Sequence, residues 1–221
     1  MEHNITIKNI EHVNHNVLRI VADKPKDYTF TPGQATELAI DKDNWRDEKR
    51  PFTFTSLPED DDLEFTIKVY PSHDGVTDKL EDLRVGDKAI IGDAWGAINY
   101  KGEGTFIAGG AGITPFLAIL KDLKYKDQLK GNTLIFSNKT EKDIILKQNL
   151  EAWLGDDVHF VLTEEDNTKY HNGKIDAQYL QDKKLRTNKP VYVCGPPAME
   201  DAIKSDLYKL GVSKDLIVSE E

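Results

Sequence analysis

The feature that most limits the fold is a change of rhythm near the middle of the chain, at Lys101-Gly102-Glu103-Gly104. Before it, short β-rich segments follow one another with turns between them. After it, apolar strands alternate with segments whose apolar residues recur at helical spacing. Hairpin-linked strands build a barrel or sandwich, whereas strand-helix alternation builds a parallel sheet with helices on its faces. Two domains of different kinds are expected, an antiparallel β-barrel over residues 1–101 and a parallel-sheet α/β domain over 102–221. A chain of 221 residues is long enough to give each its own core.

In the first half, strands are expected at 5–10, 17–21, 35–40, 52–54, 63–69 and 88–91. The alternation of Phe65, Ile67 and Val69 with Thr66, Lys68 and Tyr70 suits a strand with one buried face. Thr31-Pro32-Gly33, residues 59–62 and Val85-Gly86-Asp87 supply turns. In the second half, strands are expected at 106–108, 134–136, 158–162, 191–194 and 216–218. Met199, Ala202, Ile203, Leu207 and Leu210 mark the clearest apolar helix face. Ligands of such a sheet bind at the carboxyl ends of its strands.

Four segments carry candidate chemistry. Gly109-Gly110-Ala111-Gly112-Ile113-Thr114-Pro115 follows a strand and opens a helix. Its small residues let the backbone approach a ligand, and the helix start offers unpaired N–H groups to a phosphate. Pro115 suits the first helical turn. No Lys-Ser or Lys-Thr pair follows, so this is not a Walker loop; a tight turn without a ligand satisfies the same pattern. In Val191-Tyr192-Val193-Cys194-Gly195-Pro196-Pro197-Ala198-Met199, an apolar strand delivers a cysteine to its carboxyl end. A lone cysteine is ordinarily a small buried hydrophobe, but this one ends a strand beside the glycine loop.

In the first half, Arg50-Pro51-Phe52-Thr53-Phe54-Thr55-Ser56 read as a strand places Thr53 and Thr55 opposite Arg50, Phe52, Phe54 and Ser56. An arginine clamps phosphate, an aromatic lies against a planar ring and a hydroxyl bonds a ring nitrogen. An ordinary strand with a surface arginine fits equally. His73-Asp74-Gly75-Val76-Thr77-Asp78-Lys79-Leu80 reads as a glycine-led helix start or a simple capped turn.

The net charge of -10 and pI near 5.1 argue against nucleic acid and anionic lipid, which require clustered positive charge. One cysteine gives no intramolecular disulfide, and the six histidines lack metal-ligand spacing, so no metal is expected. No apolar run is long enough to span a bilayer without a Gly or Pro interruption. A cytoplasmic monomer without membrane insertion is the expectation.

Taken in order along the chain, these segments resemble the ferredoxin-NADP reductase superfamily, and the resemblance covers nearly the whole sequence. Arg50 to Ser56 is similar to the flavin signature Arg-x-Tyr-Ser/Thr-x-x-Ser, Gly75 to Thr77 to the pyrophosphate turn, Gly109 to Pro115 to the nicotinamide loop, and Cys194 to Pro197 to the Cys-Gly-Pro element. Ser137-Asn138-Lys139-Thr140-Glu141-Lys142-Asp143-Ile144 is similar to cytochrome b5 reductases, which prefer NADH. The overall length is nearer to compact bacterial flavodoxin and ferredoxin reductases.

The resemblance implies FAD as cofactor and NADH or NADPH as electron donor. It implies that Arg50, Gly75, Val76 and Thr77 hold the FAD pyrophosphate, and that Pro51, Phe52, Thr53 and Ser56 border the flavin. Ile67, Lys68 and Val69 then run past its ribityl and phosphate groups. Gly110, Gly112, Thr114, Pro115, Asn138, Lys139, Gly195 and Pro196 receive the nicotinamide nucleotide, and Thr53, Cys194 and Glu220 surround the point of hydride transfer. Phe52 replaces the usual tyrosine, and Trp95 lies in Asp93-Ala94-Trp95-Gly96, where Gly-Pro-Phe/Tyr-Gly is common.

The implied activity takes electrons from the nucleotide through FAD to a separate small redox protein such as flavodoxin or ferredoxin. A non-catalytic or electron-relay FAD-binding subunit of a larger redox complex is the alternative. No Asp or Glu ends the strand at 134–136, so the choice of nucleotide stays open. Lys121, Lys124, Lys126 and Lys130 would form a basic face for an acidic carrier, or a solvated helix end.

Overall fold

The structure, a computed structural model, describes residues 1–70, 75–166 and 168–220. The first half comprises β1 (His3–Asn14), β2 (Val17–Asp23), β3 (Ala35–Ile40), β4 (Arg50–Thr53), β5 (Asp62–Lys68), the short helix α1 (Val76–Lys79) and β6 (Lys88–Ile91). These strands form one antiparallel sheet in the order β4-β3-β6-β1-β2-β5. Its two ends meet just past β4, where Phe54 bridges to Phe65 of β5 and the Thr55 N–H donates to the Glu64 carbonyl at 2.7 Å. The sheet therefore closes on itself as a barrel.

Alternation fills its interior. Leu18 and Ile20 are buried while Arg19 between them reaches outward to Glu11 and Glu64. Phe30 stacks on Phe54 at 4.3 Å between ring centroids, and Phe54 meets Phe65 at 5.2 Å. Each such buried ring contributes about 2–3 kcal/mol. β1 runs well beyond the expected 5–10, because its start pairs with β6 and residues from Ile7 onward pair with β2. Register shifts at Ile7/Asn9 and His12/Asn14 bend it from one neighbour toward the other.

The second half comprises β7 (Thr105–Gly109), α2 (Thr114–Tyr125), β8 (Thr133–Asn138), α3 (Lys147–Leu154), β9 (Val158–Leu162), β10 (His171–Asn172), α4 (Ala177–Asp182), β11 (Val191–Cys194), α5 (Pro197–Lys209) and β12 (Ile217–Ser219). All its strands are parallel, in the order β10-β9-β8-β7-β11-β12. Phe106, Phe136 and Tyr192 bury on one face with residues of α2 and α3, and Ile107, Ile135 and Val193 on the other with residues of α4 and α5. This period of two, read against helices on both sides, is what the apolar runs encode.

Strand order fixes where a ligand can enter. The chain steps outward from β7 through β8 and β9 to β10, then returns to lay β11 on the other side of β7. The loops after β7 and β11 therefore lead to helices on opposite faces of the sheet, α2 and α5, and the switch point where a ligand binds lies at these two strand ends. The barrel packs against this domain: Val17 and Ile98 bury in the core cluster of α2 and the parallel sheet. Among the described residues no helix is long and apolar enough to cross a membrane, and no group of three or more His, Cys, Asp or Glu could hold a metal ion.

Candidate active site

At the switch point, Cys194 is in register with Ala108, so the glycine loop and the Cys-Gly-Pro-Pro turn leave the sheet side by side. Their backbones touch. A β-carbon on Gly112 would overlap the Cys194 carbonyl, and one on Gly109 would overlap the Met199 sulfur. Gly110 differs: it adopts φ +52°, and a β-carbon there would meet nothing within 4 Å. The loop is thus packed from behind and open in front. A 3-10 turn over Gly110–Ile113 runs into α2, with the Thr114 N–H bonded to the Ala111 carbonyl, so the helical segment begins inside the glycine loop, at Gly110.

These loops form one wall of a cavity of about 950 Å³. Gly110, Gly112, Thr114, Pro115, Gly195 and Pro196 line it, as do Cys194 and Glu220. The facing wall belongs to the barrel: Pro51, Phe52 and Thr53 at the edge strand β4, Ile67 and Lys68 of β5, then Thr77 and Trp95. Trp95 is pinned by reciprocal backbone bonds with Ala35, both 2.8 Å, while its side chain stays 46% exposed. An aromatic fixed at its backbone and open at its ring is suited to lie against a planar ligand.

Farther along the cavity, the carboxyl end of β8 presents Asn138 and Lys139. The Asn138 side chain is buried, yet neither its oxygen nor its nitrogen has a hydrogen-bond partner. An orphaned buried amide in a cavity wall is a signal for a ligand, since leaving it unmatched is costly. Lys139 pairs with Glu164, just beyond β9, at 2.9 Å, and that bond raises the lysine's pKa. Glu164 is a lining residue the sequence pattern missed. The sequence has no carboxylate at the end of β8, and the structure places this one a strand farther out, past β9.

Burial, followed by the charges of Glu220 and Glu200, pushes the Cys194 thiol well above its ordinary value. It is a neutral thiol near pH 7 and no nucleophile. Surrounding protein and the Glu200 charge likewise raise the Glu220 carboxyl, although that side chain keeps contact with solvent. Glu200 is buried at the start of α5, where it accepts from the Gly195 N–H at 3.0 Å and from Lys204 at 3.1 Å.

Five expected site residues lie outside the cavity wall. Arg50 is exposed, donating to the Lys49 carbonyl at 2.7 Å and pairing with Glu48 at 3.2 Å. Ser56 is buried and accepts from the Glu64 N–H at 3.0 Å. Val69 and Val76 belong to the barrel core, and Gly75 is the N-cap of α1. His73 and Asp74 of the same motif lie outside the described residues. Lys124 lies over the Trp153 ring at 5.4 Å and Lys126 pairs with Asp122 at 2.8 Å. Both sit near the end of α2, about 15 Å from its start at the cavity.

Comparison with known proteins follows the same division. Residues 2–96 match the model of an FAD-binding domain, and residues 106–205 match that of an oxidoreductase NAD-binding domain. The fold superposes on a ferredoxin NADP+ reductase from Neisseria gonorrhoeae with bound FAD and NADP, with a TM-score of 0.85 at 20% identity over 99% of this chain and 98% of that one. The chain thus joins an FAD-binding domain to an oxidoreductase NAD-binding domain, in the fold of ferredoxin-NADP reductases.

With these two domains it is an oxidoreductase whose cofactors are FAD and a nicotinamide nucleotide. The open glycine loop, the helical segment that begins inside it and the orphaned Asn138 amide fit a dinucleotide. The chain is 27% identical to NADH-cytochrome b5 reductase 2 of Mycosarcoma maydis over 90% of its own length and 63% of the relative's. It is 25% identical to the ferredoxin–NAD(P)+ reductase component of the naphthalene 1,2-dioxygenase system of Pseudomonas putida, over 97% and 67%. It thus spans about two thirds of the length of these curated relatives.

Proposed function

We propose that this chain oxidises NADH with its FAD and delivers the electrons to a separate small redox protein, a ferredoxin or flavodoxin, in the cytoplasm. One observation carries the proposal: the switch-point crevice, with its glycine loop and neutral thiol, opens directly onto the β4 edge that bears Thr53. FAD, when bound, accepts a hydride equivalent from the reduced nicotinamide and releases electrons singly or in pairs.

The chain's own groups bind, orient and exclude water. The barrel, taken as residues 1–101, presents Pro51, Phe52, Thr53 and Trp95 to the flavin, with Lys68 toward its phosphates. The nucleotide domain, taken as 102–221, holds pyrophosphate on Gly110 to Thr114 and the start of α2. Thr53, Cys194 and Glu220 border the reacting rings. Cys194 contributes a compact, uncharged wall that leaves the ring electronics to the cofactors.

NADH is favoured over NADPH by the Lys139–Glu164 pair. The ammonium is already neutralised, and a 2′-phosphate beside Glu164 would add a like charge. Anaerobic titration tests the whole proposal. The yellow holoenzyme should bleach with NADH faster than with NADPH and recover its colour on adding oxidised ferredoxin or flavodoxin. A colourless preparation, or a yellow one that neither nucleotide bleaches, would favour a non-catalytic FAD-binding subunit.

A further inference from the structure

Helix α2 begins at Thr114 in the cavity wall, and seven residues later it carries Lys121. At 100° and 1.5 Å per residue, the two residues share one side of the helix about 10 Å apart. Lys121 reaches out of its own domain. Its ammonium donates to the carbonyl oxygen of Thr55 in the barrel at 3.2 Å and lies 3.7 Å from Oε1 of Glu64.

That contact falls on the segment that builds the opposite cavity wall. Thr55 follows two residues after Thr53, and its hydroxyl lies 3.1 Å from that of Thr66, itself a wall residue. Glu64 completes the junction by accepting from the Thr55 hydroxyl at 3.0 Å and from Arg19 at 2.7 Å. The helix that starts beneath the glycine loop is therefore fastened, two turns on, to the chain two residues past Thr53, the last residue of β4. A second joint, His15 to Asp143 at 3.3 Å with Asn14 Nδ2 to the Lys142 carbonyl at 3.4 Å, ties the β1–β2 turn to the segment after β8.

We propose that Lys121 is a positioning residue that sets the spacing between the nucleotide loop and the Thr53 strand, and through it the rate of flavin reduction, while touching neither ligand. This rests on the NADH-to-FAD function proposed above. Loss of the ammonium leaves Glu64 still paired with Arg19, so no buried charge is stranded and a K121M protein retains its fold. The aliphatic stem of Met keeps the packing; only the tether is lost.

Anaerobic stopped flow on FAD-loaded wild type, K121M and K121R provides the test, together with the long-wavelength charge-transfer absorbance of the flavin–nucleotide complex. Spin-label distances between barrel and nucleotide domain, which require no turnover, complete it. K121M should reduce its flavin on the order of tenfold or more slowly at saturating NADH, because small misplacements of reacting groups carry costs of this size. Its NADH affinity, FAD content and melting temperature should stay near wild type, the charge-transfer band should weaken, and the interdomain distances should broaden. K121R should recover the rate. A wild-type protein that bleaches normally beside an equally fast K121M overturns the role of Lys121 alone, as does a slow K121M that K121R fails to rescue. A wild type that neither nucleotide bleaches overturns the underlying function and this role with it.

Discussion

The backbone of Gly112 lies against the Cys194 turn so closely that a β-carbon on Gly112 would sit 2.7 Å from Cα of Gly195 and overlap the Cys194 carbonyl oxygen. Two loops from the two sides of the topological switch point are thereby locked into one surface. Gly112→Ala must push them apart, and overpacking of this kind costs about 1–3 kcal/mol. Nucleotide affinity should fall by about ten- to a hundredfold. FAD content should hold, because the barrel has its own core. Nucleotide titration of the holoenzyme checks both.

Asn138 is a buried amide without partners, and replacing it should have opposite effects on stability and binding. Asn138→Leu removes an unmatched polar group of similar size, so the nucleotide-free protein should gain about 1–3 kcal/mol. The same change should weaken nucleotide binding. Denaturant melts with and without NAD+ separate the two; equal loss in both states would mean that the amide serves the fold.

Glu164→Gln should release Lys139 from its ion pair and move donor preference toward NADPH. The ratio of kcat/KM for NADPH to that for NADH should rise by roughly tenfold, corresponding to about 1.4 kcal/mol of altered discrimination. Lys139→Gln should not raise it. Steady-state rates with both nucleotides decide.

Two pH effects follow from the surroundings of Cys194 and Glu220. The Cys194 thiol titrates above the free value of 9.0, so iodoacetamide at pH 8 should alkylate it more than about a hundredfold more slowly than after denaturation. Glu220 has a folded pKa raised above its ordinary 4.5. Stability from keeping it protonated is fully present below that ordinary value and is lost as the pH rises through the folded one. Glu220→Gln should therefore melt higher than the parent at pH 8, with the difference shrinking toward pH 4.

Much of this was legible in the chain because the apolar periods are clean. The strands around Phe106, Leu134 and Val191 have buried side chains on both faces of a sheet, and α5 shows its face through Ile203 and Leu207. What escaped has physical reasons. β10 is two residues long and exposed, too short for any period. β1 carries bulges that break alternation and bring His12 and Asn14 into a strand. Glu164 and Tyr70 line the cavity through the way strands end side by side, which spacing along one chain does not report. The flavin signature, by contrast, marked Pro51, Phe52 and Thr53 at the wall while Arg50 turns to Glu48.

The most direct test of the shared cleft is an anaerobic crystal structure of the FAD-loaded protein with bound NAD+. The flavin ring should lie between Thr53 and Trp95 on one side and the Cys194 turn on the other, with the nicotinamide stacked on it and the pyrophosphate at Gly110. Flavin bound on another surface of the barrel, or a nucleotide whose nicotinamide points away from Cys194, would contradict the assignment of this crevice as the reaction site.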